Sequence, residues 1–479
     1  MTTTAPTAST PVLARASDSL PPEVTKLALT LMLGGIMVAL DMTMVNVALD
    51  TLARDFHTSV ASIQWVSTGY LLALAMVIPL TGWAVERFGA KPIWLASLAF
   101  FTTGSMLCGI AWSAPSLIAF RVVQGLGGGM MMPLIQSVLA RAAGPDRVGR
   151  VMGVVGVPAM LGPVLGPVLG GVIVSGASWR LIFCINVPIC LAALAASRRV
   201  VIPDMKRPAA FRLDMLGLSL LSPGLVAIVY GLSQAGTHGS FADGHVLVPL
   251  AAGIALILAF AIHALRTRSD PLIDVRLFRG RRFTSFSAVV FFFSMAMLGT
   301  ALLLPLYYQQ VRAQDALHAG LLLAPQGLGM GVALVVASRL TDRVSARPMI
   351  LVGLVLAATA TFAYTQIGAH TSVSLLSVAA FVSGAGIGAA LVPAMTGVYK
   401  GLRDEAVPRA TSSIRIFQQL GGSFGIAILA VVLQQEAAAR NTTAGLAGAF
   451  GQTFWWTLAF IALALVATLM APAEPRPRR

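Results

Sequence analysis

Residues 27–49 read LALTLMLGGIMVALDMTMVNVAL, and this apolar run of 23 residues contains one charged side chain, Asp41. A helix of about 20 apolar residues crosses the roughly 30 Å of hydrocarbon in a bilayer. Because lipid offers no hydrogen bonds, the backbone of such a run must satisfy its own polar groups, as a helix does. A β-barrel would instead show alternating segments of about 10 residues. Residues 27–49 therefore predict a transmembrane helix that carries an acid.

Similar apolar runs recur along the whole chain of 479 residues. Hydrophobic residues make up 57% of it and charged residues 11%, whereas a soluble domain carries about 25% charged residues. We therefore predict an all-α integral membrane protein with fourteen transmembrane helices. The predicted spans are 27–49, 62–84, 92–111, 115–139, 149–174, 180–197, 213–233, 245–265, 283–308, 317–338, 348–367, 373–398, 411–434 and 452–472.

Lysine and arginine residues are distributed unevenly between the predicted loops. If the N-terminus lies in the cytoplasm, 27 of the 33 fall on the cytoplasmic side and four on the other, while Arg121 and Arg415 lie within spans. Basic loops remain in the cytoplasm during membrane insertion. We therefore expect a multi-pass protein of the bacterial cytoplasmic (inner) membrane with both termini cytoplasmic. Because the basic residues sit in short loops, a nucleic-acid partner is not expected.

Two short loops resemble each other and divide the chain into halves. Residues 82–91 and 338–347 each hold an acid–arginine pair, Glu86–Arg87 and Asp342–Arg343, in matching positions. Repeated halves with a site between them are a common transporter design. We predict a disordered cytoplasmic tail at 1–25, a six-helix bundle at 26–200, a two-helix insertion with cytoplasmic linkers at 201–282, a second six-helix bundle at 283–472 and a basic cytoplasmic tail at 473–479.

Asp41 and Arg121 are ionisable residues placed well inside predicted spans. A charge near the bilayer centre costs about 2.5–3.5 kcal/mol, so it generally faces a partner or a water-filled cavity. Burial favours the neutral form of an acid, and a nearby cation favours its ionised form. We interpret Asp41 as a proton carrier, with a structural hydrogen bond between helices as the alternative. For Arg121 we expect one of three roles: it pairs with Asp41, anchors a water network or extends to the outer interface.

Polar and aromatic residues within the spans are candidates for lining a substrate cavity. They are Asn46, Gln64, Trp65, Tyr70, Gln124, Tyr307 and Gln309. Aromatic residues near helix ends more often belong to the interfacial belt, which is the alternative for Tyr307. The spans of the second half contain no acid near their middle, which disfavours doubly charged cations as substrates.

Other kinds of site find no support in the sequence. The chain has no G-x-x-x-x-G-K-[ST] motif, and its six histidines show no metal-ligand spacing. We therefore expect no ATP hydrolysis, no catalytic site, no metal, no cofactor and no enzyme activity. Cys108, Cys184 and Cys190 lie in apolar runs, where we expect them to be buried as small hydrophobic side chains.

Six short motifs follow one another in order over nearly the whole chain. They are Leu40–Leu49, Trp65–Ala73, Gly82–Lys91, Arg121–Gly125, the fifth-helix residues Gly153, Gly162, Gly166, Pro167, Gly170 and Gly171, and Trp179–Pro188. Together they resemble the motifs of the major facilitator superfamily, specifically its fourteen-helix drug:proton antiporters of the EmrB/QacA type. Glu86 departs from the family pattern, in which aspartate is usual, and Asp50 stands where proline is frequent.

The resemblance implies two six-helix bundles plus two extra central helices, and efflux by alternating access with Asp41 and Arg121 as the proton-coupling residues. Small lipophilic compounds or antibiotics would leave the cell in exchange for protons, and the fifth-helix motif is what separates exporters from importers. Expected partners are the substrate, protons, the lipid bilayer and, as in some relatives, a periplasmic adaptor protein. The implied cytoplasmic gate consists of Gly82, Glu86, Arg87, Gly89, Lys91, Asp342 and Arg343.

The role of the fifth-helix glycines and the function of the chain each allow alternative interpretations. Gly162, Gly166 and Gly170 share one helix face, which favours close helix packing, while Pro163 and Pro167 bend the helix. The alternative is that this bend governs which side opens. A proton-coupled importer of a small organic solute would use the same fold. A membrane sensor or scaffold would transport nothing.

Overall fold

A computed structural model describes residues 21–144, 147, 150–151, 153, 157–200, 202–203, 213–267, 271–341, 344–399, 407–438, 440 and 442–472. Within these ranges the chain is predominantly helical and contains no strand. The predicted tail at 473–479 and residues 1–20 of the predicted tail at 1–25 lie outside the described residues.

Fourteen long helices occur among the described residues, in the order of the predicted spans. They are α1 (Pro22–Asp55), α2 (Trp65–Phe88), α3 (Ala90–Gly109), α4 (Ala114–Ala143), α5 (Val157–Gly176), α6 (Asn186–Arg199), α7 (Met215–His238), α8 (Gly244–Arg266), α9 (Arg281–Gln310), α10 (Ala316–Thr341), α11 (Ala346–Thr365), α12 (Val373–Tyr399), α13 (Val407–Ala438) and α14 (Thr443–Met470). Short helices at Val60–Ile63 and Leu181–Cys184 precede α2 and α6, and a 3₁₀ helix at Val275–Arg279 precedes α9.

The long helices have the length and composition of membrane spans. Within the described ranges, thirteen segments are long and apolar enough to cross a bilayer, and α6 is one of them only together with the short helix Leu181–Cys184. The remaining one, α5, has 20 residues and no charged side chain. The prediction of an all-α membrane protein with about fourteen spans is thus confirmed. One boundary differs clearly: α14 begins nine residues before its predicted span, because Thr442 caps it by accepting a hydrogen bond from the Gly445 N–H.

The helices form two bundles and an inserted pair. In the first bundle, α2 and α3 pack against α4, while α5 and α6 pack against α1. In the second, α10 and α11 pack against α12, while α13 and α14 pack against α9. The inserted helix α7 lies against both α2 and α13, and α8 packs mainly against α7. The Ser222 hydroxyl on α7 donates to the Met76 carbonyl on α2 at 2.8 Å, so α7 covers the seam between the bundles.

The bundles meet near the ends of helices on one face of the protein. We call this the basic face, defined as the face at which α1 begins at Pro22 and α2 ends at Phe88; the other is the opposite face. Gly89 has a φ of +94° there, a left-handed conformation that glycine adopts without a steric cost. This residue ends α2 and allows α3 to begin at once in the reverse direction.

The three cysteines are not all buried. Cys108 and Cys190 are, as expected, but Cys184 is exposed. It lies on the short helix Leu181–Cys184, where Ile182 and Phe183 take the buried positions. The expectation was wrong for Cys184 because a short helix has one face toward the bundle, and this residue lies off that face.

Candidate functional site

Asp41 and Arg121 form an ion pair inside the first bundle. Asp41 lies on α1 and is 0% exposed, and Arg121 lies on α4 and is 1% exposed. The Nη1 of Arg121 donates to Oδ2 of Asp41 at 2.5 Å. Burying one of these charges without a partner would be costly. The attraction between Asp41 and Arg121 offsets part of the cost of removing both from water. Of the alternatives for Arg121, the structure bears out pairing with Asp41.

Two side-chain amides hold the other oxygen of the Asp41 carboxylate. Nε2 of Gln124 donates to Oδ1 at 2.9 Å, and Nδ2 of Asn186 donates to the same oxygen at 3.0 Å. Asn186 is the first residue of α6 and is fully buried. With Arg121, the carboxylate therefore receives hydrogen bonds from three donors on two helices, an arrangement that stabilises its ionised form.

The donors are themselves held by residues of neighbouring helices. Ser105 Oγ on α3 accepts from Gln124 Nε2 at 2.8 Å and from Asn186 Nδ2 at 3.0 Å. Nε of Arg121 donates to the Val66 carbonyl at 3.2 Å. The Tyr70 ring lies 4.0 Å from the guanidinium carbon of Arg121, a cation–π contact. Five helices of the first bundle, α1, α2, α3, α4 and α6, thus converge on one carboxylate.

Two glycines explain why these side chains can converge. A Cβ on Gly104 of α3 would lie 2.6 Å from Cα of Gln124, and a Cβ on Gly125 of α4 would lie 2.6 Å from the Tyr70 carbonyl. Any side chain at either position would push the backbones apart. The absence of a Cβ therefore brings α2, α3 and α4 close enough for Gln124 and Tyr70 to reach the Asp41–Arg121 pair.

The glycine face of α5 lies against α1 beside Asp41. A Cβ on Gly162 would lie 3.0 Å from the Ala39 carbonyl, and one on Gly170 would lie 3.1 Å from the Met44 carbonyl. The Thr43 hydroxyl donates to the Gly162 carbonyl at 3.0 Å. These contacts support the packing interpretation of the fifth-helix glycines. The side chain of Pro167 lies outside the described residues.

The predicted cavity residues fall in several places. Tyr70 and Gln124 belong to the buried site, whereas Asn46 is exposed and accepts a hydrogen bond from Ser67 at 3.0 Å. Trp65 packs against Tyr230 of α7 in a tilted arrangement, with ring centroids 5.6 Å apart. Gln64 and Gln309 are exposed at helix ends on the opposite face. Tyr307 is buried in the second bundle, where its hydroxyl donates to the Gly368 carbonyl at 2.7 Å.

A second buried ion pair joins the two bundles at the basic face. Nη2 of Arg409 on α13 lies 3.2 Å from Oε2 of Glu86 on α2, and the two are 8% and 1% exposed. At the same face, a Cβ on Gly153 would lie 2.5 Å from Cβ of Ser338 on α10.

The other predicted gate residues lie at the end of α2 and the start of α3, or outside the described residues. Gly82 is buried and Arg87 is exposed. Nζ of Lys91 donates to the Val200 carbonyl at 3.3 Å, which ties α3 to the end of α6. Asp342 and Arg343 lie outside the described residues, as does the side chain of Asp50.

Three residues of these sites were not predicted from the sequence: Asn186, Ser105 and Arg409. Asn186 and Ser105 are polar residues in apolar runs, and Asn186 falls inside the motif Trp179–Pro188, which is the signal that could have identified it. Arg409 was counted only as a basic residue of a loop, although it lies inside α13.

Comparisons with known proteins identify related sequences and a common fold. A family model described as Major Facilitator Superfamily matches residues 31–426. The "Multidrug resistance protein B homolog" of Mycobacterium tuberculosis H37Rv is 40% identical over 406 residues, which cover 84% of this chain and 75% of that protein. The "Multidrug export protein EmrB" of Haemophilus influenzae is 30% identical over 418 residues, covering 87% and 82%. The "Lincomycin resistance protein LmrB" of Bacillus subtilis is 28% identical over 414 residues, covering 86% of each chain.

Solved structures show the same architecture at low sequence identity. The human organic anion transporter MFSD10 superimposes with a TM-score of 0.64 at 16% identity, covering 92% of this chain and all of that one. The proton:xylose symporter XylE superimposes with a TM-score of 0.62 at 14% identity, covering 92% and 95%. These two likenesses concern the fold alone.

Proposed function

We propose that this chain, which belongs to the major facilitator superfamily, exports small lipophilic organic compounds or antibiotics from bacteria in exchange for protons. It is a multi-pass membrane transporter and not an enzyme. Support for export comes from relatives whose names describe multidrug resistance, multidrug export and lincomycin resistance. The fifth-helix glycines of the exporter motif also lie in close contact with α1.

The observation that carries the proton exchange is the buried Asp41–Arg121 pair. A carboxylate that is 0% exposed and bound to a guanidinium is held in its charged form by that contact. Proton uptake removes the charge, weakens the attraction to Arg121 and lets α1 and α4 move relative to each other. We propose that a proton enters from the periplasm, resides on Asp41 and leaves to the cytoplasm, while substrate moves in the other direction.

The Glu86–Arg409 pair is the proposed cytoplasmic gate. By the positive-inside rule, we propose that the basic face lies in the cytoplasm, together with both termini. The pair and the Gly153–Ser338 contact join the bundles there. We infer that the structure represents a state closed toward the cytoplasm, and that opening on that side separates Glu86 from Arg409.

Everted membrane vesicles provide the test of the proposed exchange. Respiration acidifies their interior, and an exporter would carry added substrate inward and protons outward, so the interior pH would rise. Ethidium, lincomycin and a lipophilic weak acid are suitable probes. We expect the signal in the wild type and its loss in Asp41→Asn.

The matched control is Asp55→Asn, an acid-to-amide change at the exposed end of the same helix. It should retain the exchange. Full coupling in Asp41→Asn would contradict the role of Asp41, and substrate movement with the proton gradient would indicate an importer. Transport by the chain alone in proteoliposomes would show that it does not require an adaptor protein.

A further inference from the structure

The Asn186 side chain has one polar atom without a hydrogen-bond partner. Its Nδ2 donates to Oδ1 of Asp41 and to Oγ of Ser105, each at 3.0 Å. Its carbonyl oxygen Oδ1 is buried and accepts no hydrogen bond from any residue that the structure describes. A buried acceptor left in this state costs about 1–3 kcal/mol. The residue that contacts the proposed proton carrier thus has an unused acceptor.

We propose that Asn186 is a positioning residue that turns its side-chain amide when Asp41 takes up a proton, so that it hydrogen-bonds both protonation states of Asp41. The inference rests on the proposed function, in which Asp41 carries the exchanged proton. It adds a residue that links the protonation state of Asp41 on α1 to helix α6.

The orientation of the amide follows from the charge of its partner. An ionised carboxylate only accepts hydrogen bonds, so the N–H group must face it. A reversed amide would place two acceptor oxygens about 3.0 Å apart. A protonated acid is different because it has one O–H to donate. A half-turn of the Asn186 amide would then bring its unused Oδ1 to the position of Nδ2, where it accepts that proton.

The proton balance of this step is simple. A proton delivered by water binds to Oδ1 of Asp41, and no other covalent bond forms or breaks. The new O–H donates to the turned amide of Asn186. Release of the proton to water on the other side restores the carboxylate, and the N–H group of Asn186 turns back toward it. The hydroxyl of Ser105 can rotate, so it is able to donate or accept in either state.

Gln124 touches the same carboxylate oxygen but is not free to turn. Its carbonyl Oε1 accepts from Nη1 of Arg121 at 2.7 Å, and the Cys108 thiol lies 3.9 Å from that oxygen. A turned Gln124 would place its own NH₂ group against a permanently charged guanidinium. The carbonyl oxygen of Asn186 has no such contact with a cation. Of the two amides that donate to Oδ1 of Asp41, Asn186 is therefore the one that can turn.

The titratable groups around this pair come from four helices besides α1. Arg121 approaches from α4, Tyr70 from α2 and Cys108 from α3, while Cys190 lies one turn along α6 from Asn186. Arg121 stays charged throughout. Tyr70 contacts Arg121 through its ring and not through a proton that the carboxylate could exchange. Asp41 is accordingly the group whose protonation the amide would follow.

Infrared difference spectroscopy on the purified full-length protein, without substrate, tests the inference. The chain has only three asparagines, at 46, 186 and 441, so isotope-labelled asparagine gives a simple signal, and the Asn46→Leu/Asn441→Gln variant leaves Asn186 as the one labelled residue. Lowering the pH should produce a protonated-acid C=O band that Asp41→Asn lacks. We expect the labelled amide band to shift over the same pH range.

Two variants distinguish the contribution of Asn186 from that of an asparagine outside the site. They are Asn186→Leu and its matched control, Asn46→Leu on the exposed part of α1. Asn186→Leu removes the amide response, whereas Asn46→Leu leaves it in place. An amide band that stays constant while Asp41 titrates would overturn the inference alone, and that measurement needs no variant at 186. If no Asp41 band titrates, the proposed proton exchange through Asp41 fails as well.

Discussion

Glu86 and Arg409 lie 323 positions apart in the chain, yet their side chains form a buried ion pair of 3.2 Å between α2 and α13. The contact joins the first bundle to the second at the basic face. Such a contact can exist only in states in which that face is closed. Because breaking a buried ion pair is costly, the pair should contribute to the balance between closed and open states.

The first prediction concerns this balance. Glu86→Gln should increase opening at the basic face, because it removes the negative charge that pairs with Arg409 across the two bundles. Ser412 on α13, 1% exposed, provides the readout as Ser412→Cys. Its labelling by a membrane-impermeant maleimide in everted vesicles should become at least about tenfold faster, since breaking a buried pair costs about 3–5 kcal/mol.

The double variant Glu86→Arg/Arg409→Glu provides the control for this prediction. It restores opposite charges across the bundles and should bring the labelling rate back toward that of the parent. Labelling of the protein without Ser412→Cys measures the contribution of the three native cysteines. Equal rates in the parent and Glu86→Gln would show that the ion pair does not hold the basic face closed.

The second prediction concerns Arg121, whose guanidinium donates to Asp41, Gln124 and the Val66 carbonyl. Arg121→Lys keeps the charge, but a single ammonium cannot reach three acceptors arranged around a planar group. We expect stability within about 1–2 kcal/mol of the wild type but proton exchange reduced at least tenfold. Arg121→Ala should cost about 3–5 kcal/mol in stability, because Asp41 is left as an unpaired buried charge.

Thermal unfolding and the vesicle assay together measure these effects. Arg266→Lys, at the exposed end of α8, is the control and should change neither quantity. Wild-type exchange in Arg121→Lys would mean that charge alone, and not the directed hydrogen bonds, is what the site needs at this position.

The Asp41–Arg121–Gln124 site shows how much of the chemistry could be predicted from the sequence. A charge in an apolar run must have a partner, and Arg121 was the complementary charge in another span of the same half, so pairing was among the predictions. Tyr70 was predicted as a cavity residue, but its ring lies on Arg121. The sequence shows that a polar residue lies within a span. It does not show what that residue faces, because this depends on how the helix is rotated about its axis.

Asn186, Ser105 and Arg409 could not be predicted for related physical reasons. Many serines in apolar runs bond only to their own helix, as Ser97 does by donating to the Ile93 carbonyl, so polarity within a run does not single out Ser105. Arg409 is two residues into α13, and its partner is in the other half of the chain. Contacts between bundles depend on the conformational state, and composition contains no information about that state.

A third prediction concerns the inserted helices. Asp214 caps α7 by accepting a hydrogen bond from the Gly217 N–H at 2.8 Å, and its Oδ1 also lies 2.8 Å from Nε2 of His263 on α8. Asp214→Ala should destabilise the first turn of α7 by about 0.5–2 kcal/mol, whereas Asp214→Asn should retain most of the cap. Hydrogen exchange of the peptide at 213–220 measures the effect. Unchanged exchange in Asp214→Ala would contradict the importance of this cap.

The last prediction uses two glycines that differ only in what surrounds them. A Cβ on Gly104 would lie 2.6 Å from both the Cα and the backbone nitrogen of Gln124, whereas one on Gly171 of α5 would have no atom within 4 Å. Gly104→Ala must therefore separate α3 from α4, at a cost of about 1–3 kcal/mol. Gly171→Ala should be neutral or stabilising by up to about 1 kcal/mol, since alanine favours the helical backbone.

Because Gln124 moves with α4, Gly104→Ala should also weaken the hydrogen bond to Asp41 and reduce substrate-dependent proton exchange. Thermal unfolding and the vesicle assay, applied to both variants, separate the two effects: equal behaviour of the variants would show that close packing of α3 on α4 is not what positions Gln124.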